Sequence, residues 1–271
     1  PHPTISNSYP AFDYLKDVPL KIAVEDDGKS FLKLTIKVRH KILADGMDDN
    51  SYDTSNVGTH LTAAEWNNHM EDPNTIVVDV RNHYEHEIGH FKNALCAESD
   101  TFREDLPKIK EKLKGNEDKK ILLYCTGGIR CEKTSAFLRH EGFEDVNQLH
   151  GGIIDYVRQI KAEGLDSKFI GKNFVFDERR GERISDDIVS SCHQCGEPCD
   201  EHTNCEYKDC NLLFIQCDNC KKEQQGCCSD ECIELFQLPV EEQKKIRKER
   251  EKEGLLEYKR SLRPKTRGIK K

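Results

Sequence analysis

The segment Ile121-Leu-Leu-Tyr-Cys125-Thr-Gly-Gly-Ile-Arg130-Cys131 decides how the rest of the chain is interpreted. Its four apolar residues predict a short buried strand that ends at a thiol. A pair of glycines and an arginine follow, and the residues from Cys131 to Leu138 predict a helix. We therefore expect Cys125 at the base of a loop whose backbone N–H groups converge on its sulfur and which leads into a helix N-terminus.

This loop has the composition of a site that holds a reactive thiolate. The helix N-terminus and the charge of Arg130 both favour ionisation of Cys125, because a free cysteine has a pKa of about 8.5 and nearby positive charge lowers it. Gly127 and Gly128 are expected to supply the unusual backbone angles and the close approach that a loop around an anion needs. The alternative is a buried structural cysteine at a strand end, against which the glycine pair and the arginine argue.

The number of residues between the cysteine and the arginine distinguishes two classes of enzyme loop. Four residues lie between Cys125 and Arg130, one fewer than in the phosphatase loops built on a cysteine and an arginine. The loop resembles the active-site loop of the rhodanese superfamily, which holds a cysteine persulfide. The segment Tyr124-Cys-Thr-Gly-Gly-Ile-Arg-Cys-Glu-Lys133 further resembles the loop of the rhodanese-domain bacterial tRNA uridine hydroxylases.

Other stretches resemble the same family. Asp79-Val-Arg81 and the stretch 85–94 are similar to the two rhodanese signatures after the first buried strand, and His150-Gly-Gly-Ile153 is similar to the turn after the last strand. The patterns predict helices over 62–70, 101–113, 132–140 and 153–162, and strands over 75–79, 121–124 and 146–149. This alternation predicts an α/β fold, a rhodanese-like parallel sheet with helices on both faces.

The chain divides into four predicted regions. Residues 1–58 resemble a remnant of an N-terminal ferredoxin-like α+β domain with its linker, including a hairpin over 20–40, and the start at Pro1 indicates a fragment. The rhodanese-like domain spans 59–165, a small cysteine-rich domain spans 166–238, and a basic helix and tail span 239–271. Thirteen basic and only four acidic residues lie between Lys244 and Lys271, although the whole chain has a net charge of −8. Such a tail fits a polyanion such as RNA, or a solvated helix with a disordered end.

Ten of the thirteen cysteines lie between Cys192 and Cys232. Pairs separated by two residues are typical of zinc sites, where both thiolates reach one tetrahedral ion. One site is predicted from Cys192, Cys195, Cys217 and Cys220. The predicted ligands of a second come from Cys199, Cys205, Cys210, Cys228 and Cys232, with His193 and His202 in reserve. Reduced or disulfide-linked thiols are the alternative.

Several residues around Cys125 have two interpretations. Asp79 and Arg81 form either a supporting ion pair or part of the reactive site, and the supporting role is favoured. Cys131 is either a redox partner of Cys125 or a cysteine packed beneath the loop. The histidines at the same edge of the sheet are expected to be ordinary hydrogen-bonded side chains: His83, His86, His90 and His150.

The residues alone indicate a thiolate or persulfide enzyme that transfers sulfur with an RNA or protein partner. The resemblance implies oxygen-dependent hydroxylation of the wobble uridine of tRNA to 5-hydroxyuridine, and a thiosulfate-type sulfurtransferase is the alternative. It assigns Cys125 and Arg130 as catalytic residues. The supporting residues are Thr126, Gly127, Gly128, Ile129, Cys131, Asp79 and Arg81.

The expected cofactors and compartment follow from the same features. The cysteine spacing predicts structural zinc, the resemblance implies molecular oxygen as co-substrate, and no motif indicates an organic cofactor. tRNA is the expected partner, and the sequence leaves the oligomeric state open. Thirty-four per cent charged residues and the lack of a long apolar run exclude a membrane span. A reduced Cys125 and clustered metal-type cysteines predict a cytoplasmic protein.

Overall fold

The computed structural model describes residues 38, 41, 43–48, 51–99, 101–176 and 179–252. The hairpin predicted over 20–40, apart from residue 38, and the predicted tail beyond 254 lie outside the described residues. The ferredoxin-like assignment of the N-terminal region therefore stays a prediction.

A five-stranded parallel sheet forms the centre of the rhodanese-like region. The first eight strands in chain order are β1 (Thr59–Leu61), β2 (Ile76–Asp79), β3 (Gly89–Phe91), β4 (Leu95–Cys96), β5 (Lys120–Tyr124), β6 (Asp145–Leu149), β7 (Phe169–Asn173) and β8 (Glu182–Arg183). The sheet has the order β1-β6-β5-β2-β4, and every neighbouring pair is parallel. Because β5 is the middle strand and is covered on both faces, its sequence is a continuous apolar run.

Helices cover both faces of this sheet, so the predicted parallel α/β fold is confirmed, and the rhodanese-like region has five helices among its described residues. They are α1 (Ala63–His69), α2 (His83–Glu87), α3 (Phe102–Leu113), α4 (Ile129–His140) and α5 (Gly152–Glu163). Ile121 and Leu123 of β5 belong to the core under α3 and α4, whereas Leu122 and Tyr124 belong to the core under α1 and α5. This alternation follows from the two-residue period of a strand.

The ends of two helices bear on the site. The predicted capping box of Thr62 and Glu65 is present at the start of α1. In contrast, α4 begins at Ile129, earlier than predicted, because Gly128 acts as its N-cap in a left-handed conformation with φ of +93°. Arg130 and Cys131 consequently both lie in the first turn of α4.

A second, smaller sheet joins the cysteine-rich region to the rhodanese-like region. Strand β7 pairs antiparallel with β3 on one side and with β8 on the other. A Cβ at Gly89 would lie within 2.5 Å of the backbone nitrogen of Lys172, so only glycine permits this close strand contact. The domain boundary drawn at residue 165 stays a prediction.

The cysteine-rich region is built from short elements. They are β9 (His202–Asn204), β10 (Leu213–Ile215), α6 (Asp218–Glu223), α7 (Asp230–Gln237) and α8 (Val240–Lys252). Strands β9 and β10 form an antiparallel pair, and α8 has no buried residue. None of the helices in the described part of the chain is long and apolar enough to cross a membrane.

Candidate active site

Cys125 lies directly after β5, at the base of the loop that leads into α4. Its side chain is only 1% exposed, and its sulfur accepts a hydrogen bond of 3.1 Å from the backbone N–H of Gly128. The left-handed backbone of Gly128 turns this N–H group toward the sulfur. The expected position of the thiol at the carboxyl end of a strand is thus present.

The N-terminus of α5 supports the loop from behind. The backbone N–H groups of Ile153 and Ile154 donate to the carbonyl oxygens of Cys125 and Thr126 at 3.0 and 3.2 Å. A Cβ at Gly152 would lie 2.5 Å from the Cys125 oxygen, so this close approach needs glycine. With its carbonyl groups bound on this side, the loop directs the N–H of Gly128 to the sulfur.

Gly127 does not play the role expected from the sequence. Its φ lies outside the left-handed region, and a Cβ placed there would have no atom of another part of the chain within 4 Å. Gly128 is therefore the loop residue whose backbone angles require glycine. Gly152 on the neighbouring helix is the residue whose close approach to the loop requires glycine.

Arg130 is held by a buried carboxylate that the sequence motif does not reveal. Its guanidinium donates to both oxygens of Glu85, at 2.5 and 2.8 Å, and the Glu85 side chain is fully buried. Thr126 donates its hydroxyl to Glu85 at 3.2 Å and accepts from Arg130 at 3.4 Å. The bidentate pair fixes the guanidinium beside the loop and offsets part of its charge.

The surroundings of Cys125 lower its pKa. Burial alone raises the pKa of a thiol, but the Cys131 thiol and the charge of Arg130 act in the opposite direction. Backbone N–H groups of Cys131 and Gly128 also donate to the sulfur, and together these effects lower the pKa of Cys125 to about 6. Cys125 is therefore mostly a thiolate at neutral pH.

Cys131 has the opposite character. Burial raises its pKa well above the ordinary value, and its hydrogen bond to Cys125 and the charge of that thiolate raise it further. Cys131 consequently remains a protonated donor to Cys125. This geometry fits a cysteine that tunes its neighbour.

Asp79 and Arg81 form a buried network at the end of β2. Arg81 donates to both oxygens of Asp79, at 2.9 and 2.6 Å, and to the carbonyl oxygen of Gly89 at 2.7 Å. The hydroxyl of Tyr124 also donates to Asp79, at 2.7 Å. Since Tyr124 immediately precedes Cys125, this ion pair fixes the end of β5 on which the thiol depends.

The four histidines at this edge have mainly structural contacts. His83 is the first residue of α2. His86 binds Asp79 through Nδ1 at 2.9 Å and stacks on His90 with a ring separation of 4.2 Å. His150 lies on the other side of the loop, with Nδ1 at 3.2 Å from Asp155.

Two groups of four cysteines lie in the cysteine-rich region, and in each the sulfur atoms are within 4.8 Å of one another. The groups are cluster one (Cys192, Cys195, Cys217 and Cys220) and cluster two (Cys205, Cys210, Cys228 and Cys232). Sulfur separations of 3.6 Å between Cys195 and Cys217 and 3.6 Å between Cys210 and Cys228 are far longer than a disulfide bond. They match the separation of about 3.8 Å implied by a tetrahedron with metal–sulfur bonds of 2.3 Å.

The structure places the other predicted ligands outside both clusters. Cys199 packs in an apolar cluster with Ile88 and Phe174. His193 contacts Glu87 through Nε2 at 2.9 Å, and the buried ring of His202 packs against Phe174. The donor set of each cluster is therefore four cysteines, which fits zinc.

Comparisons with known proteins agree with this geometry. The model of the rhodanese-like domain matches residues 62–159, and a model described as rhodanase C-terminal matches residues 170–233. A Leptospira interrogans protein named tRNA uridine(34) hydroxylase is 58% identical over 250 residues, which cover 92% of this chain and 68% of that protein. The chain belongs to the tRNA uridine(34) hydroxylase family. A relative of the same name from Pectobacterium carotovorum is 56% identical over 245 residues, or 90% of this chain and 68% of that protein.

The family resemblance drawn from the loop sequence is confirmed, and the chain spans about two thirds of the length of these relatives. Among solved structures, a rhodanese-like domain from an Anabaena protein is 23% identical with a TM-score of 0.34, covering 48% of this chain and 87% of that one. A rhodanese-like domain protein from Staphylococcus aureus is 25% identical with a TM-score of 0.31, covering 36% and 90%.

In this member of the tRNA uridine(34) hydroxylase family, two buried acids near the loop gave no clear sequence signal. Glu85 appeared only as part of a signature, although it holds Arg130. Asp105 is buried and accepts a hydrogen bond from the Ser99 hydroxyl. Burial raises the pKa of Asp105 to about 7, and the charge of Arg130 opposes this.

Proposed function

We propose that this chain hydroxylates the wobble uridine of tRNA to 5-hydroxyuridine with molecular oxygen, and that Cys125 is the reacting group. One observation carries the proposal: a thiolate loop with a Cys125 pKa of about 6 lies in a chain more than half identical to proteins named tRNA uridine(34) hydroxylase. The reaction takes place in the cytoplasm, where mature tRNA is available.

The chemistry begins with the nucleophilic thiolate. Cys125 adds to carbon 6 of the uracil ring, which opens the 5,6 double bond and makes carbon 5 electron-rich. Carbon 5 then forms a bond to oxygen. The second oxygen atom leaves as water, with two electrons and two protons supplied by a thiol reductant. Loss of the proton from carbon 5 expels the Cys125 thiolate and restores the double bond.

The residues around Cys125 support these steps. Gly128 and Cys131 donate hydrogen bonds that stabilise the thiolate before attack and again when elimination releases it. Arg130, fixed by Glu85, supplies positive charge for the negative charge that develops on the ring. Because the thiol is almost fully buried, the uridine base has to leave the anticodon stack to reach it.

The alternative is a thiosulfate-type sulfurtransferase that carries a persulfide on Cys125. The same loop would stabilise a persulfide anion, but the names of the relatives favour hydroxylation. Product analysis separates the two reactions, because one adds oxygen to carbon 5 and the other replaces a carbonyl oxygen with sulfur.

The decisive experiment is nucleoside analysis of tRNA from cells with the protein, without it, and with Cys125→Ser. The two products have the same nominal mass, so exact mass and labelling with heavy oxygen gas are needed to identify them. We expect labelled 5-hydroxyuridine only with the wild-type protein. Detection of thiolated uridine as the product, or an undiminished amount of 5-hydroxyuridine in cells with Cys125→Ser, would contradict the proposal.

We further propose that both cysteine clusters bind structural zinc. Cluster one and cluster two each offer four sulfur donors at tetrahedral spacing. Backbone N–H groups of Cys217 and Cys228 point to the sulfurs of Cys192 and Cys205 at 3.4 Å, as is typical around thiolate ligands. Zinc there would hold short elements that have little apolar core of their own.

A further inference from the structure

Phe176 is an aromatic side chain left in solvent beside the catalytic loop. Its side chain is 62% exposed, whereas the preceding Phe174 and Val175 are 5% and 6% exposed. Only one other aromatic residue, Phe236, is among the exposed large apolar side chains in the described part of the chain, at 38%. A single exposed apolar side chain is ordinary on a protein surface, so the position of Phe176 beside Arg130 is what suggests a role for it.

The contacts of Phe176 place it at the rim of the loop. The guanidinium carbon of Arg130 lies 6.0 Å from the centre of the Phe176 ring. Arg130 in turn contacts the hydroxyl of Thr126, the residue after Cys125. Ile129, in the same helical turn as Arg130, is 48% exposed. The rim of the loop thus combines a cation, an aliphatic side chain and an open aromatic ring.

Buried aromatic side chains hold the Phe176 ring from below. Phe174 meets it edge-on, with ring centres 5.2 Å apart and an angle of 78° between the planes. Phe174 itself packs edge-on against Tyr84 at 5.1 Å and His202 at 5.3 Å. This support restricts the orientation of an otherwise exposed ring, so little entropy is lost when a flat ligand binds to it.

A base that leaves the anticodon stack loses its stacking energy, and an aromatic side chain can replace it. We propose that Phe176 stacks on the substrate nucleobase as it approaches Cys125, with the nearby charge of Arg130 reinforcing the contact. This inference rests on the proposed function, because it takes an unstacked pyrimidine of RNA as the occupant of the rim. Phe176 is a substrate-positioning residue on this view.

The test compares Phe176→Ala, Phe176→Leu and Phe176→Trp in tRNA hydroxylation. Base–aromatic stacking predicts a fall in kcat/KM of about tenfold or more for the alanine variant. The leucine variant should fall nearly as far, because it keeps an apolar side chain but has no ring, and the tryptophan variant should keep most of the activity. Phe236→Ala is the matched control, since it removes the other exposed ring, which belongs to α7 in the cysteine-rich region.

Two further measurements separate stacking from a structural role. The alkylation rate of Cys125 by iodoacetamide should be unchanged in all three variants. Trp66 is fully buried, so a tryptophan at position 176 adds an exposed fluorophore whose emission a short anticodon stem-loop should quench. Equal kcat/KM in the wild-type and leucine proteins, or no quenching, would overturn the inference.

Two other outcomes also bear on the stacking inference and on the proposed function. A lower melting temperature or an altered oligomeric state with unchanged tRNA kinetics would show that Phe176 packs on protein, which overturns the inference. Wild-type protein that gives no 5-hydroxyuridine, while the stem-loop still quenches the tryptophan, would reject the proposed function and retain the stacking contact.

Discussion

Cys125 combines burial with a low pKa, and this combination leads to a pH prediction. Only the thiolate reacts with iodoacetamide, so the alkylation rate of Cys125 should rise with pH around a midpoint of about 6 and fall as protonation occurs below it. A free cysteine would show a midpoint of about 8.5. Mass spectrometry of the peptide that contains Cys125 gives the rate separately from the other cysteines. A midpoint at or above the value of about 8.5 for a free cysteine would contradict the assignment of Cys125 as a thiolate at neutral pH.

Substitution of either member of the Arg130–Glu85 ion pair should destabilise the protein, but only loss of Arg130 should raise the pKa of Cys125. Arg130→Ala should raise the midpoint for Cys125 alkylation, because it removes a positive charge that lowers the pKa. It should also reduce stability by about 3–5 kcal/mol, since the Glu85 carboxylate is left buried and unpaired. Glu85→Gln should destabilise the protein without raising the midpoint.

Alkylation profiles and urea unfolding of the two variants test this ion pair, and Arg130→Lys is the control that retains the charge. The same midpoint in the wild-type and Arg130→Ala proteins would show that the backbone N–H groups alone ionise Cys125.

At the level of residues, the sequence predicts the thiol and the residues of its loop but not the carboxylate that holds Arg130. Cys125, Gly128 and Arg130 lie within one short segment, and the chemistry of an anion-binding loop links them. Glu85 is 45 positions away from Arg130, and no local pattern reveals a carboxylate brought in by the separate helix α2. The spacing of the cysteines predicts the members of cluster one and cluster two, but it also includes Cys199, which packs with apolar side chains.

The junction between the loop and α5 predicts a strong effect of one glycine. Gly152 has φ of +68°, and a Cβ there would press on the Cys125 carbonyl oxygen at 2.5 Å. Gly152→Ala should therefore displace the loop, reduce the stability by at least 1–2 kcal/mol for the left-handed conformation alone, and raise the alkylation midpoint of Cys125. Urea unfolding and the alkylation profile measure both effects.

Gly127→Ala provides the comparison for stability, since a Cβ at that position meets nothing within 4 Å. Its unfolding free energy should stay within about 0.5 kcal/mol of the wild type. Equal destabilisation by the two alanines would show that the loop does not depend on its contact with α5.

At the level of elements, the hydrophobic pattern predicts the strands and helices around β5, and the structure has them. It misplaces the start of α4, because sequence rules look for a polar N-cap and the cap here is Gly128. The pairing of β3 with β7 also has no signal in either strand, since it joins segments 78 to 82 residues apart through a close contact that requires glycine at both Gly89 and Gly171.

At the level of the whole molecule, cluster one and cluster two should affect the active site differently. Cys192 and Cys220 of cluster one pack with Ile88, which follows directly after the helix that carries Glu85. Elemental analysis should give about two zinc ions per chain, four ligands each. Cys195→Ser should remove one ion and also raise the alkylation midpoint of Cys125, because it loosens the support of Glu85.

Cys210→Ser in cluster two is the matched control. It should remove one ion and lower the melting temperature while the Cys125 midpoint stays near 6. Metal-free wild-type protein with a normal melting temperature would show that both clusters are free or disulfide-linked thiols. The same Cys125 midpoint in the Cys195→Ser and Cys210→Ser proteins would show that cluster one has no special connection to the active-site loop.

Helix α8 exposes a row of three lysines to solvent. Lys245, Lys248 and Lys252 are exposed and follow one another at spacings of three and four residues, so they form one stripe of the helix. None of these three lysines has a carboxylate partner among residues 179–252 and the other described segments, whereas Arg247 contacts Asp209 and Arg250 contacts Glu231. An unpaired basic stripe can bind phosphates without the cost of breaking ion pairs. If tRNA is the substrate, replacing all three lysines with glutamine should weaken tRNA binding and reduce the slope of log affinity against log salt by about 2–3.

Because the substitutions remove contacts with phosphate and not with the base, the alkylation profile of Cys125 should not change. Three lysines of α3 that already have carboxylate partners, Lys108, Lys110 and Lys112, provide the control when replaced together with glutamine. Titrations of labelled tRNA at several salt concentrations decide between the two surfaces. Equal salt slopes for the α8 variant and the wild type would place the phosphate contacts on another surface of the protein.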